Sequence, residues 1–248
     1  FLRAEIEFSF KRNGGIGVSR CLWYNNYMDI LEAIDKRHSV RSYTDRRIEG
    51  EVKNKLEKFL AVISGESGLN MQLVTDEPKA FGGFMAHYGK FKGVKNYITV
   101  VGKKAPSLQE TAGYYGEKAV LYAQTLGLNT CWVALTYSKG KTSCEIKDGE
   151  KLCVVIAVGY GETQGRPHKS KPVEKVAVIN ADSPEWFKKG VEAALLAPTA
   201  MNQQKFLFSE KNGVVSAKAK RGFYSKMDLG IVKYHFETGA GKENFEWA

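Results

Sequence analysis

"EWFKKGVEAALLAPTAMNQQKFLF", residues 185–208, runs through an amphipathic helix pattern, a break at Pro198, a short polar phrase holding Thr199, Asn202 and Gln204, and an apolar strand pattern. The same order occurs earlier, in "EVKNKLEKFLAVISGESGLNMQLV", residues 51–74. There Val52, Leu56, Phe59, Leu60 and Ile63 recur at helical spacing, "SGESG" interrupts them, and "NMQLVTD" alternates as a half-buried strand does. A second pair follows in the same order, "GEKAVLYAQTLGLNTCW" (116–132) beside "DLGIVKYHFETGAGKENFEW" (228–247). Each is a helix with small and aromatic inward residues, closed by glycine and followed by Trp. Two elements repeated in one order predict an internal duplication with unequal copies.

Between these stretches, "YITVVG" (97–102) and "LCVVIAV" (152–158) are nearly continuous apolar runs, the mark of strands covered on both faces. "CWVAL" (131–135) reads as another strand after the helix that closes near Gly127. Helix, strand and loop alternate throughout, which predicts an α+β fold, an α/β sandwich with helices covering a sheet.

At 248 residues and 43% hydrophobic content the chain can fill a sizeable core. Its longest apolar run falls far short of the roughly 18 residues of a membrane span, and the first 27 residues lack the apolar core of a signal peptide. A cytoplasmic location without membrane association is the expectation. Cys21, Cys131, Cys144 and Cys153 form no C-x-x-C pair and stand near no histidine at ligand spacing, so they are expected as buried free thiols and no metal site is expected. The net charge of +10 is scattered over the chain and not gathered in a nucleic-acid motif. It excludes nucleic acid as the favoured partner and leaves a smaller anion open.

Arg37, Ser39 and Arg41 stand at alternate positions after a short helix, so an extended segment points all three the same way. Two guanidiniums and a hydroxyl make a site for phosphate or another planar anion; taken alone, the triplet also fits a solvated basic loop.

"AIDKRHSVRSY" (33–43) resembles the opening phrase of the FMN-dependent nitroreductases. "LGLNTCWVAL" (126–135) resembles that family's segment along the flavin ring. "VVIAVGYGETQGRPHKSKPVEKV" (154–176) resembles its strand, glycine turn and basic loop, and "APTAMNQQKF" (197–206) resembles its Pro-Ser-x-x-Asn-x-Gln phrase. The resemblance implies a nitroreductase-like fold with helices around a mainly antiparallel central sheet. It implies FMN as cofactor, NADH or NADPH as electron donor, and a small electron-poor substrate such as a nitroaromatic, quinone or enone, reduced by a ping-pong route.

Position by position, it places Arg37 and Ser39 on the FMN phosphate together with Lys169 and Lys171. His38 belongs to the same phrase with its side chain turned away. Arg41 falls near the pyrimidine edge, and the backbone of Ala134 and Leu135 beside the reactive nitrogen. Pro198, Thr199, Asn202 and Gln204 fall on the ring and ribityl chain. No dedicated acid–base residue is expected, because the cofactor supplies the electron chemistry.

In ordinary members the Pro-Ser-x-x-Asn-x-Gln phrase follows the basic triplet within a few tens of residues. Here the corresponding stretch offers only Ser67 and Asn70, and the phrase sits in the second copy, which lacks Arg-x-Ser-x-Arg. Family members are usually homodimers with FMN at the interface. The resemblance is therefore to a divergent single-chain, pseudo-dimeric branch binding one FMN between two unequal halves related by a pseudo-two-fold. The expected division is an extension (1–27), a first half (28–180) and a degenerate second half (181–248), in a monomer or weak homodimer. The alternative is a degenerate binding or regulatory protein that has lost FMN.

Overall fold

The computed structural model describes residues 29–248; the expected N-terminal extension and Cys21 lie outside them. Its first part runs α1 (Ile30–Lys36), α2 (Gly50–Ser67), β1 (Asn70–Val74), α3 (Phe84–Tyr88), β2 (Tyr97–Lys103), α4 (Leu108–Thr125), β3 (Asn129–Val133) and β4 (Glu150–Gly159). The second part runs α5 (Glu185–Leu195), β5 (Phe206–Lys211), β6 (Val214–Ala219), α6 (Ser225–Ala240) and β7 (Glu246–Trp247). Asp29 caps α1 through its carboxylate, which accepts the Leu31 N–H. α2 continues through "SGES" to a left-handed Gly68 cap, one turn beyond the sequence expectation. The Ser67 hydroxyl donates back to the Ile63 carbonyl, so the serine is used inside the last turn.

The strands form two separate sheets, ordered β1-β2-β4-β3 and β5-β6-β7. The two continuous apolar runs are the two central strands of the first sheet, where both faces are covered, with Ile98, Val100, Val155 and Ile156 fully buried. β3 occupies 129–133 and not 131–135: Asn129 and Thr130 pair with Gly159 and Val158, leaving Ala134 and Leu135 beyond the strand end. β5 and β6 form a hairpin through Asn212 and Gly213, both left-handed, as a two-residue turn requires. The strands thus form a four-stranded antiparallel sheet and a three-stranded mixed one, with β6–β7 the parallel pairing among the described strands.

Apart from the short α3, the elements α2-β1-α3-β2-α4-β3 and α5-β5-β6-α6-β7 follow one order, helix, two antiparallel strands, helix and strand. In the first sheet β4 lies antiparallel between β2 and β3, which makes those two parallel. In the second sheet β7 pairs with β6 directly and in parallel, as β3 would with β2 were β4 taken out. Each part has its own core. The first is aliphatic around Leu56, Leu60, Ile98, Val120 and Ile156, and the second is aromatic around Phe187, Phe206, Phe208 and Phe236.

α4 and α6 join the parts, and their contact is reciprocal. A Cβ on Gly113 would lie 2.0 Å from the Met227 carbonyl oxygen, and one on Gly230 would lie 2.0 Å from that of Glu110. Each glycine meets the carbonyl three residues before the other, as across an isologous two-fold contact. A local dyad passes between the two glycines. Because a rigid backbone atom occupies the place of the methyl group, Gly230→Ala should lower stability by about 1–3 kcal/mol, the range for an overpacked contact. Urea unfolding checks this, and Gly113→Ala should fall in the same range if the dyad passes between them.

Among the described residues no helix is long and apolar enough to cross a membrane, and no group of three His, Cys, Asp or Glu could hold a metal ion. Cys131 is buried and Cys144 and Cys153 are half-buried, all three free, and burial pushes each thiol up from its ordinary pKa.

Candidate functional site

Residues 39–43 run alongside the first sheet, with Ser39 bridged to Thr130 and the Val40 N–H on the Thr130 carbonyl at 3.0 Å. Val40 and Tyr43 turn into the core, and the Tyr43 hydroxyl donates to the Val40 carbonyl at 2.8 Å. Ser39 and Arg41 are left facing an open cleft between the two parts. The cleft has two joined lobes that share Ser39, Arg41, Pro198, Thr199 and Met201. The inner lobe, about 130 Å³, is walled by Trp132, Ala134, Val154, Met227, Asp228 and Ile231. The outer lobe, about 510 Å³, is walled by Arg37, His38, Arg166, His168 and Asn202. Positive groups thus gather at the outer end and apolar groups at the inner, with Arg41 on the boundary. The outer lobe by itself is of ligand-pocket size.

The segment from Thr199 to Gln204 makes the wall contributed by the second part. Met201, Asn202 and Gln204 all hold left-handed backbone angles, with φ of 54°, 52° and 42°. Strain of this kind, about 1–3 kcal/mol per residue, persists only where surrounding bonds fix it. Asp228 accepts the Ala200 N–H at 2.9 Å and the Gln203 amide at 2.7 Å. The Thr199 hydroxyl accepts the Gln204 N–H at 3.0 Å. Met201, 91% exposed, is held out at the mouth between the lobes.

Ser39, Arg41, Pro198 and Thr199, separated by some three fifths of the chain, meet here; Ala134 joins them in the inner lobe, and His38 and Asn202 in the outer. Others are placed differently from the sequence expectation. Arg37 touches the outer lobe, yet its side chain turns inward and is 2% exposed, so the triplet does not point one way. Its Nη2 donates to the Leu196 carbonyl at 3.4 Å, and its Nε lies 3.8 Å from Glu117 with no hydrogen-bond partner. The buried Glu117 carboxylate outweighs the solvated alternative, while burial pulls the guanidinium below its ordinary pKa.

The Lys171 ammonium bonds the carbonyls of Gln203 and Gln204, and lines neither lobe; Lys169, exposed, offers its carbonyl to Asn202 and Gln204. Gln204 is 2% exposed and spends its amide on the Lys171 N–H, the Lys169 carbonyl and Asn202, so it fastens the basic loop to the Thr199–Gln204 segment. Leu135 is 55% exposed and lines neither lobe. His38, expected to face away, lines the outer lobe; burial and the neighbouring Arg37 hold it below the usual histidine range.

Three polar cleft residues were not singled out from the sequence. Arg166 and His168 stand in the basic loop, and His168 Nε2 donates to the Leu195 carbonyl at 2.8 Å. A histidine, the Ser170 hydroxyl and Arg37 together cap the carbonyl end of α5, where the helix dipole favours positive charge. The third is Asp228, whose carboxyl burial pushes up to about 6 although two donors oppose it. With an unfolded value near 3.8, the folded state takes up a proton between about pH 6 and pH 4 that the unfolded chain has not yet bound. Asp228 should therefore add to stability as the pH falls through that window, by up to about 3 kcal/mol. Urea titrations at pH 4 to 7 should show this rise in the wild type and not in Asp228→Asn.

Residues 29–240 match the model of a family described as "Putative TM nitroreductase". The chain belongs to this nitroreductase family. Membership places it among the oxidoreductases. A solved structure of a putative nitroreductase from Thermotoga maritima is 24% identical, superposes with a TM-score of 0.65, and covers 93% of this chain and 92% of its own. A putative nitroreductase from Desulfovibrio desulfuricans, solved in complex with FMN, is 19% identical over 62% of this chain and 98% of its own, at a TM-score of 0.49. An FMN-dependent nitroreductase from Clostridium difficile is 20% identical over 60% and 98%, at 0.46. Comparison with curated proteins finds no match. Over nearly its whole length the nitroreductase chain therefore shares the fold of the Thermotoga protein, with its own basic, strained cleft between the two parts.

Proposed function

We propose that this nitroreductase binds one FMN in the cleft and passes electrons from NADH or NADPH to a small electron-poor acceptor such as a nitroaromatic, quinone or enone. The single observation that carries the reading is the graded chemistry of the cleft, with Arg37, Arg166 and two histidines at one end, Trp132, Val154, Met227 and Ile231 at the other, and Arg41 between them. A ligand with an anionic end and a flat apolar body fits it. The division at about residue 180 belongs to this proposal, with the second part completing the site of the first.

FMN would supply hydride transfer when bound. Arg166, the outer edge of Arg37 and the Ser39 hydroxyl would hold its phosphate, since guanidiniums give forked charge-assisted donors. Arg41, exposed and 5.9 Å above the Phe91 ring, would hold a fixed positive charge where reduction leaves negative charge. Thr199 and Asn202 would bind the polar edge, with the apolar wall excluding water. Lys171 and Gln204 act one step back, holding the loop and the segment that carry those groups. The location proposed is cytoplasmic and the state a monomer or weak homodimer, with no nucleic-acid or membrane partner.

The purified protein should be yellow, or its colourless form should take up added FMN with quenching of flavin fluorescence, and should then oxidise NADH or NADPH when a quinone is supplied. A protein that takes up no FMN overturns the reading in favour of a binding or regulatory role. Arg41→Ala should weaken FMN binding by about 1.5–3 kcal/mol, the scale of a lost charged hydrogen bond, read by the same titration.

A further inference from the structure

The dyad through Gly113 and Gly230 has a second consequence. It pairs Tyr224 with Ser107, Met227 with Glu110, Asp228 with Thr111 and Ile231 with Tyr114. The first of each pair lines the inner lobe beside Trp132, and the second lines another cleft, about 320 Å³, beside Trp247. Trp132 and Trp247 stand on the corresponding strands β3 and β7. Four positions and one indole recur in register, so the cleft among α4, α6 and β7 is the symmetry mate of the inner lobe.

Its chemistry is reversed. Lys233 reaches Glu110 at 2.9 Å and lies 4.6 Å above the Trp247 ring. Glu237 accepts the Tyr114 hydroxyl and the Trp247 indole N–H. Tyr114 and Glu110 belong to the first part and Glu237 and Lys233 to the second, so the Tyr114–Glu237 and Lys233–Glu110 bonds tie the two parts together. None of the residues 67–70, which correspond to the Thr199–Gln204 segment, lines this cleft, and the stretch before α5 contributes nothing to it. No arginine lines it.

We propose that this mate cleft is a cofactor site converted into a seat for the chain's own Lys233 ammonium, held on its wall between Glu110 and the indole face, which locks the halves together and leaves one flavin site per chain. The stoichiometry rests on the FMN reading above; the lock does not.

Titration of flavin-free full-length protein with FMN, followed by flavin fluorescence and calorimetry, should saturate at one equivalent. Ser107→Trp, which fills the mate cleft, should leave the affinity within twofold. Two equivalents, or loss of FMN binding in Ser107→Trp with the fold intact by circular dichroism, would overturn the proposal. If no FMN binds at all, the cofactor reading fails and melting decides the lock. Lys233→Glu should lower the Tm by several degrees, more at 20 mM than at 1 M NaCl, while Lys233→Arg stays within one or two degrees of wild type. Equal melting of the two variants at low salt sinks the lock.

Discussion

Glu117→Ala should cost about 3–5 kcal/mol of folding stability, the penalty for removing one partner of a buried charge cluster. Glu117 is wholly buried on α4, and every group around it is committed to it. His235 Nε2 lies 2.8 Å from Oε1, the Trp132 indole donates to Oε2 at 2.8 Å, and Arg37 Nε lies at 3.8 Å. His235 Nδ1 faces the Ala193 carbonyl at 3.1 Å, which can only accept, so that nitrogen carries its hydrogen. Deleting the carboxylate strands Arg37 without counter-charge and leaves the Trp132 indole N–H and His235 Nε2 without a partner inside the joint between the two parts. Urea unfolding monitored by far-UV circular dichroism measures the loss, and a change under 1 kcal/mol would show the cluster to be dispensable. Glu117→Gln, which keeps an acceptor for one neighbour, should lie between.

Gln204→Leu should lose about 3 kcal/mol of stability, roughly 1 kcal/mol for each of its three amide hydrogen bonds. It should also weaken FMN binding at least tenfold. Both effects have one cause: the leucine fits the buried space but cannot bond the Lys171 N–H, the Lys169 carbonyl or Asn202. The basic loop then separates from the strained segment that presents Thr199 and Asn202. If stability falls while FMN affinity stays unchanged, Gln204 supports the fold without arranging the cleft.

The helices and strands were legible because each carries its own periodicity. Leu56, Leu60 and Ile63 mark the buried face of α2, and "LCVVIAV" marks a central strand by lacking any polar alternation. The strand end at Val133 was misplaced by two residues because Asn129 and Thr130 look polar in sequence and are buried by pairing with β4. Four cleft residues, Ser39, Arg41, Pro198 and Thr199, were readable as two short phrases, since hydroxyl and guanidinium groups at fixed spacing are local signals.

By itself, then, the sequence determined an α+β chain of the nitroreductase fold, with a basic phrase early in it and a polar phrase late. Tertiary structure alone decided which side chains of those phrases face the cleft. Arg37 turns toward Glu117, and Lys171 and Gln204 turn toward each other, because a buried charge or amide goes wherever its partner is. Those partners lie 33 to more than 70 residues away, on elements whose relative placement leaves no periodic trace in the chain. The same holds for Asp228 and Arg166, and for the dyad itself, which rests on two glycines whose missing side chains matter only once two helices cross.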